Sequence, residues 1–208
     1  MRPRIELLDQ FYGVLDEVSE RCGGPRILAD CDGRMGWPRR GVYFFFEPGE
    51  YRHGGTRLRV VRVGTHALRP SGSSLWQRLS QHKGTTGGAL AGGGNHRGSI
   101  FRLHVGEALL AVGDYPPDIA RTWGRGSTAP PDIRRSEHPL ECAVSAHIRA
   151  MPFLWLAVDD APTPASDRGV IEVGSVALLS NLTRPAIDPP SPGWLGRHST
   201  RPVIRESG

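Results

Sequence analysis

Tyr43 stands near the start of a run of β-branched and aromatic residues, and Arg78 and His82 follow four residues apart, close enough to share one face of a helix. Glu172 sits early in a later helical pattern. These are the parts that metal-assisted phosphodiester hydrolysis requires: a phenol or imidazole to position or deprotonate water, a guanidinium to hold the scissile phosphate, and a carboxylate to hold a divalent ion. One carboxylate, with water and phosphate completing the shell, suits Mg²⁺ (or Mn²⁺). Plainer readings exist for each group. Tyr43 could be a strand aromatic at a sheet edge, Arg78 and His82 an exposed helix face, and Glu172 a partner of the helix dipole. Glu141, early in a helix after Pro139, competes with Glu172 as the metal ligand.

The elements that must position these groups are legible in outline. Ile5, Leu8, Phe11, Tyr12, Leu15 and Val18 predict an amphipathic helix over Arg4–Arg21, ended by Gly23-Gly24-Pro25, with its stripe packed on a sheet. Gly41–Glu47 reads as a buried strand, Pro48-Gly49-Glu50 as a turn, and Leu58–Gly64 as the antiparallel partner. The segment Pro70-Ser71-Gly72-Ser73-Ser74 supplies cap candidates for a helix over Leu75–Lys83. The glycine-rich stretch from Thr85 to Gly94 reads as a flexible loop, and Ser99–Val105 as a third strand. Gly113–Arg135, with Pro116-Pro117 and Pro130-Pro131, predicts a long irregular excursion. A helix over Pro139–Arg149, a central strand over Pro152–Val158 and a helix from Arg168 to about Asn181, capped by Ser166 or Asp167, complete the pattern. Trp194 anchors a late proline-rich turn.

In order and spacing these segments resemble the GIY-YIG nuclease superfamily. Gly41-Val42-Tyr43 looks like its first motif, Arg62-Val63-Gly64 occupies the place of its second, and Arg78-x-x-x-His82 is similar to the helix of its restriction-endonuclease-like branch. Glu172 resembles the family's metal-binding glutamate and Asn181 its downstream asparagine. The resemblance implies an α/β (α+β) fold with a small mixed or antiparallel central sheet flanked by helices, a divalent metal, and a nucleic-acid substrate. It implies catalytic roles for Tyr43, Arg78, His82 and Glu172, with Glu172 as the metal ligand. Arg62 stands where the second motif has tyrosine, which leaves Tyr43 or His82 as the base. Arg62, Lys83, Asn95, His96, Arg97 and Asn181 are the candidate nucleic-acid contacts, and Trp123 in its Arg/Gly-rich loop is a further one. The separation of His82 from Glu172 implies a loop-rich insertion.

Length and composition bound the rest. At 208 residues the chain predicts a single domain: an N-terminal helix (1–24), a motif core (41–84), an insertion (95–160), a glutamate helix (166–182) and a C-terminal extension (183–208). The net charge is +5, and Lys83 is the lone lysine among 26 basic residues. Arginine's planar fork suits phosphate, so DNA, with RNA as the alternative, is favoured as the partner over an acidic small molecule, although codon bias toward arginine gives the same composition. Three unpaired-looking cysteines, Cys22, Cys31 and Cys142, argue against a disulfide framework or a structural zinc site and fit a reducing cytoplasm. No apolar run is long enough to span a bilayer. A nucleic-acid-binding module without catalysis, and a small interaction domain whose basic surface is only compositional, are the competing classes.

Overall fold

The computed structural model describes residues 3–68, 72–163 and 165–208. Met1 and Arg2, the cap candidates Pro70 and Ser71 with Arg69, and Pro164 of the loop before the glutamate helix lie outside the described residues. Four strands form one antiparallel sheet: β1 (Arg26–Ile27), β2 (Gly41–Tyr51), β3 (Leu58–Gly64) and β4 (Pro152–Ala157), in the order β1-β4-β2-β3. Because side chains alternate along a strand, β2 feeds two cores at once. Val42, Phe44 and Phe46 face one side and Tyr43 and Phe45 the other.

Helix α1 (Arg4–Cys22) covers the first face, burying Leu8, Tyr12, Leu15 and Val18 at helical spacing. It ends as predicted, with Gly23 in the left-handed region (φ 73°) and the Gly23 and Gly24 N–H groups returning to the carbonyls of Glu20 and Ser19. On the opposite face lie α2 (Leu75–Lys83), α3 (Ile100–Val112) and α6 (His138–Arg149), packed around Tyr43, Phe45 and Phe153. Helix α7 (Asp167–Leu179) returns to the α1 side, where Ile171, Leu178 and Leu179 join that core. At its end the Arg4 guanidinium donates to the carbonyls of Leu178, Leu179 and Ser180 and to Asn181 Oδ1 at 2.8–3.1 Å. Two six-residue helices, α4 (Pro117–Thr122) and α5 (Pro131–Ser136), each begin with proline at the first turn, where its missing N–H costs nothing. Helix α8 (Pro202–Ser207) closes the described chain.

Three sequence expectations are corrected. Ser99–Val105 is not a strand: Ser99 caps α3 by accepting the Arg102 N–H, and Phe101, Val105 and Ala108 form its buried face. Pro48-Gly49-Glu50 does not turn the chain. Strand β2 runs on to Tyr51 through register shifts, and the reversal comes at Arg52–Arg57, closed by the Arg52 N–H to the Arg57 carbonyl at 2.9 Å. A buried ion pair between Glu50 and Arg59 across the hairpin, 2.7 Å long, holds that extension together. The glycine-rich loop after α2 has its ends tied, Thr85 N–H to the Gly93 carbonyl at 2.8 Å and Gly92 N–H to the Thr85 carbonyl at 2.9 Å.

Candidate active site

Tyr43 pairs with Gly64 across the β2–β3 ladder, and the tyrosine ring lies over the glycine so closely that a Cβ there would collide with the phenol. Gly41 is likewise pressed against the Leu156 carbonyl. The two glycines therefore belong to the tyrosine's placement and not merely to turns. From beneath the sheet α2 rises to meet that ring. Ser74 starts it with a capping box, its hydroxyl accepting the Gln77 N–H at 3.2 Å while Gln77 Oε1 accepts the Ser74 N–H at 2.7 Å.

One turn after Arg78 on that helix, His82 is fully buried. Its Nε2 lies 2.8 Å from the Tyr43 hydroxyl and its Nδ1 lies 2.8 Å from Ser99 Oγ. Burial, reinforced by Arg78, Arg62 and Arg102, pushes the imidazole well below its ordinary pKa, so the ring is neutral at pH 7, donating through one nitrogen and accepting through the other. Tyr43 is also fully buried.

Arg78 itself faces a cleft of about 400 Å³ lined also by Thr65, His66, Gln81 and Glu172. Arg78 Nη1 donates to the Gly98 carbonyl and Gln81 Oε1, each at 3.1 Å, while its Nε is buried without a partner among the described residues. Arg78 belongs to the layer beneath the sheet and Glu172 to the layer above it, and the two meet beyond the end of β3. That convergence depends on Arg168, one turn before Glu172 and fully buried. Its guanidinium holds the carbonyls of His66 and Ala67 and pairs with Asp160, and its N–H donates to Asp160 Oδ2 at 3.0 Å. Ala67 sits in the left-handed region at φ 51°, a conformation that costs a non-glycine residue about 1–3 kcal/mol and persists here under this clamp.

His66 is a cleft residue that the sequence pattern did not single out. It is 6% exposed, its Nε2 lies 3.2 Å from the Arg39 carbonyl, and its Nδ1 is buried without a partner among the described residues. Burial, opposed by that backbone hydrogen bond and reinforced by Arg168, Arg78 and Arg40, holds it below the ordinary histidine pKa.

The remaining candidates lie elsewhere. Arg62 is on the Tyr43 side of the sheet but lines a different, more apolar cavity of about 290 Å³ with His104, Trp194 and Phe101, its guanidinium 5.9 Å from the Phe101 ring centre. Lys83 donates to the carbonyls of Ala29 and Cys31 at 2.8 and 2.6 Å. Asn95 is exposed and accepts the Arg97 N–H at 3.1 Å. Arg97 forks onto Glu137 at 2.6 and 2.9 Å, both side chains almost wholly buried. His96 is buried between Glu141 and the Gly124 N–H, stacked on Trp123 at 3.8 Å between ring centres. Trp123 is thereby a core residue whose indole donates to the Leu103 carbonyl. Asn181 bonds Arg4, the Asp188 carbonyl and, through its backbone, the Ser207 carbonyl. Glu141 is taken by Arg102 and His96. Burial raises its pKa, but the hydrogen bonds of His96 and the charge of Arg102 more than offset this and hold the carboxyl below its usual range. Among the described residues no three His, Cys, Asp or Glu side chains cluster as a ready metal site.

Comparison with known families decides the kinship of this scaffold. A family model described as the GIY-YIG domain matches residues 2–208. The chain belongs to the GIY-YIG nuclease superfamily. Neither the curated proteins nor the solved structures give a match. In this GIY-YIG chain the β2–β3 hairpin pairs Tyr43 with Gly64, and α2 carries Arg78. No helix among the described residues is long and apolar enough to cross a membrane.

Proposed function

We propose that the chain is a divalent-metal-dependent endonuclease that hydrolyses phosphodiester bonds in DNA, with RNA the alternative polymer, working in the cytoplasm. The observation that carries this reading is the shared cleft of Arg78 and Glu172, because a buried guanidinium N–H without a partner among the described residues, beside a carboxylate without an ion pair among them, suits a phosphate with its counter-cation. Glu172 would hold Mg²⁺ or Mn²⁺, which supplies charge neutralisation and a more acidic bound water. Arg78 orients the phosphate through its free Nε edge. Tyr43 and His82 are the proton-holding pair behind it: as Tyr43 takes a proton from water, the neutral His82 Nε2 accepts the phenolic one. Since both groups are sealed in this arrangement, that step requires substrate to displace their cover.

The sealing of Tyr43 and the arginine at position 62 favour a second reading, in which the fold binds nucleic acid without cutting it. Incubation of the protein with plasmid DNA and structured RNA in Mg²⁺ or Mn²⁺ separates the two. Cleavage by the wild type that Glu172→Gln and Arg78→Ala each lower by at least about a hundredfold supports the nuclease. Intact substrates with all metals, together with salt-sensitive binding that survives Glu172→Gln, would establish the binding module instead.

A further inference from the structure

We propose that His66 is a second protein ligand, through Nδ1, for the divalent cation that Glu172 holds. The inference rests on the nuclease reading of the Arg78 cleft and extends it to a mixed nitrogen and oxygen site. Four observations lead there. The Arg39 carbonyl 3.2 Å from Nε2 can only accept, so Nε2 bears the ring proton and Nδ1 the lone pair. A carbonyl on the far nitrogen is the arrangement that fixes tautomer and orientation in metal-binding histidines. That lone pair is buried and has no partner among the described residues, which is costly unless a ligand or water engages it. His66 lines the same cleft as Glu172.

Arg168 makes the pairing specific. It stands one helical turn from Glu172 and clamps the His66 and Ala67 carbonyls, so the segment bearing the imidazole and the helix bearing the carboxylate are fastened to each other. The charge of Arg168 does not oppose a cation there, for Asp160 neutralises it. A hydroxyl or amide would have served for a mere hydrogen bond to Arg39. An imidazole adds a donor of intermediate softness, which shifts preference from Mg²⁺ toward Mn²⁺.

The test is Mn²⁺ titration of the purified protein without nucleic acid, followed by electron paramagnetic resonance of free and bound ion. Nitrogen hyperfine coupling on bound Mn²⁺ in the wild type, lost in His66→Gln together with about tenfold or more of the affinity, would establish the ligand. Glutamine keeps an N–H for the Arg39 carbonyl but lacks the nitrogen lone pair. His66→Asn, which returns an oxygen near the Nδ1 position, is expected to recover Mg²⁺ better than Mn²⁺. Bound Mn²⁺ without nitrogen coupling in the wild type, lost on Glu172→Gln, overturns the His66 assignment and leaves the nuclease reading standing. Binding that Glu172→Gln does not alter, or no binding at millimolar Mn²⁺, overturns both. The wild-type spectrum decides even where a variant fails to fold.

Discussion

At the scale of single residues, the Tyr43–His82 hydrogen bond can be asked two separate questions. Removing the hydroxyl leaves a buried ring nitrogen unpaired, so Tyr43→Phe is expected to lower stability by about 1–3 kcal/mol in urea titrations, whatever its catalytic role. If the phenol also handles the proton, kcat falls by a hundredfold or more with KM little changed. A loss in stability alone would reduce Tyr43 to a brace for α2. The imidazole has a pH signature of its own. Its folded pKa lies well below its unfolded value, so in the window below about pH 6.5 the unfolded chain binds a proton the folded one refuses. Stability from this neutral ring is present in full above that window and declines as pH falls through it, by about 1.4 kcal/mol per pH unit for one proton. His82→Gln is expected to flatten the urea midpoint between pH 6.5 and 5. An unchanged slope would mean that other groups govern the acid limb, His66 and His104 being also depressed.

Among the elements, those whose signals are local were readable from the chain. The α1 stripe, the Ser74 cap, the Tyr43–Gly64 hairpin and the Ser166 start of α7 all depend on residues within a few positions or on a strand pair close in sequence. Helix α3 was not, because Ile100, Phe101, Leu103 and Val105 are short and apolar enough to suit a strand. What settles it is Arg102, fully buried and paired with Glu141 across a separation of 39 residues, while also donating to the His82 carbonyl at 2.9 Å. Arg97 is turned inward for the same reason, its partner Glu137 being 40 residues away. His66 is a site residue only through Arg168, 102 residues distant. Breaking such a buried pair from one side is expensive, so Glu141→Gln is expected to cost about 3–5 kcal/mol and to loosen α3 and α6 together. Hydrogen exchange that rises in only one of the two helices would contradict that coupling.

For the molecule as a whole, the excess of arginine acts through its distribution more than its sum. Arg59, Arg97, Arg102 and Arg168 are consumed by internal acids and carbonyls, which leaves the net +5 to be expressed by those that remain at the surface. Nucleic-acid affinity is therefore expected to fall log-linearly with salt, and Arg78→Ala to reduce the slope by about one. A slope that Arg78→Ala does not change would place the phosphates elsewhere.

The contact of Arg4 with the end of α7 has a consequence for how the protein comes into being. The first helix carries the cap for the helix that bears Glu172, and that helix leaves the ribosome well after both its cap and Arg78. A chain still in synthesis exhibits Arg78 first and gains Glu172 later, so one wall of the cleft exists for a time without the other. Ribosome-stalled chains ending before residue 160 are expected to leave their own messenger intact, and activity to arrive only when α7 has docked beneath Arg4.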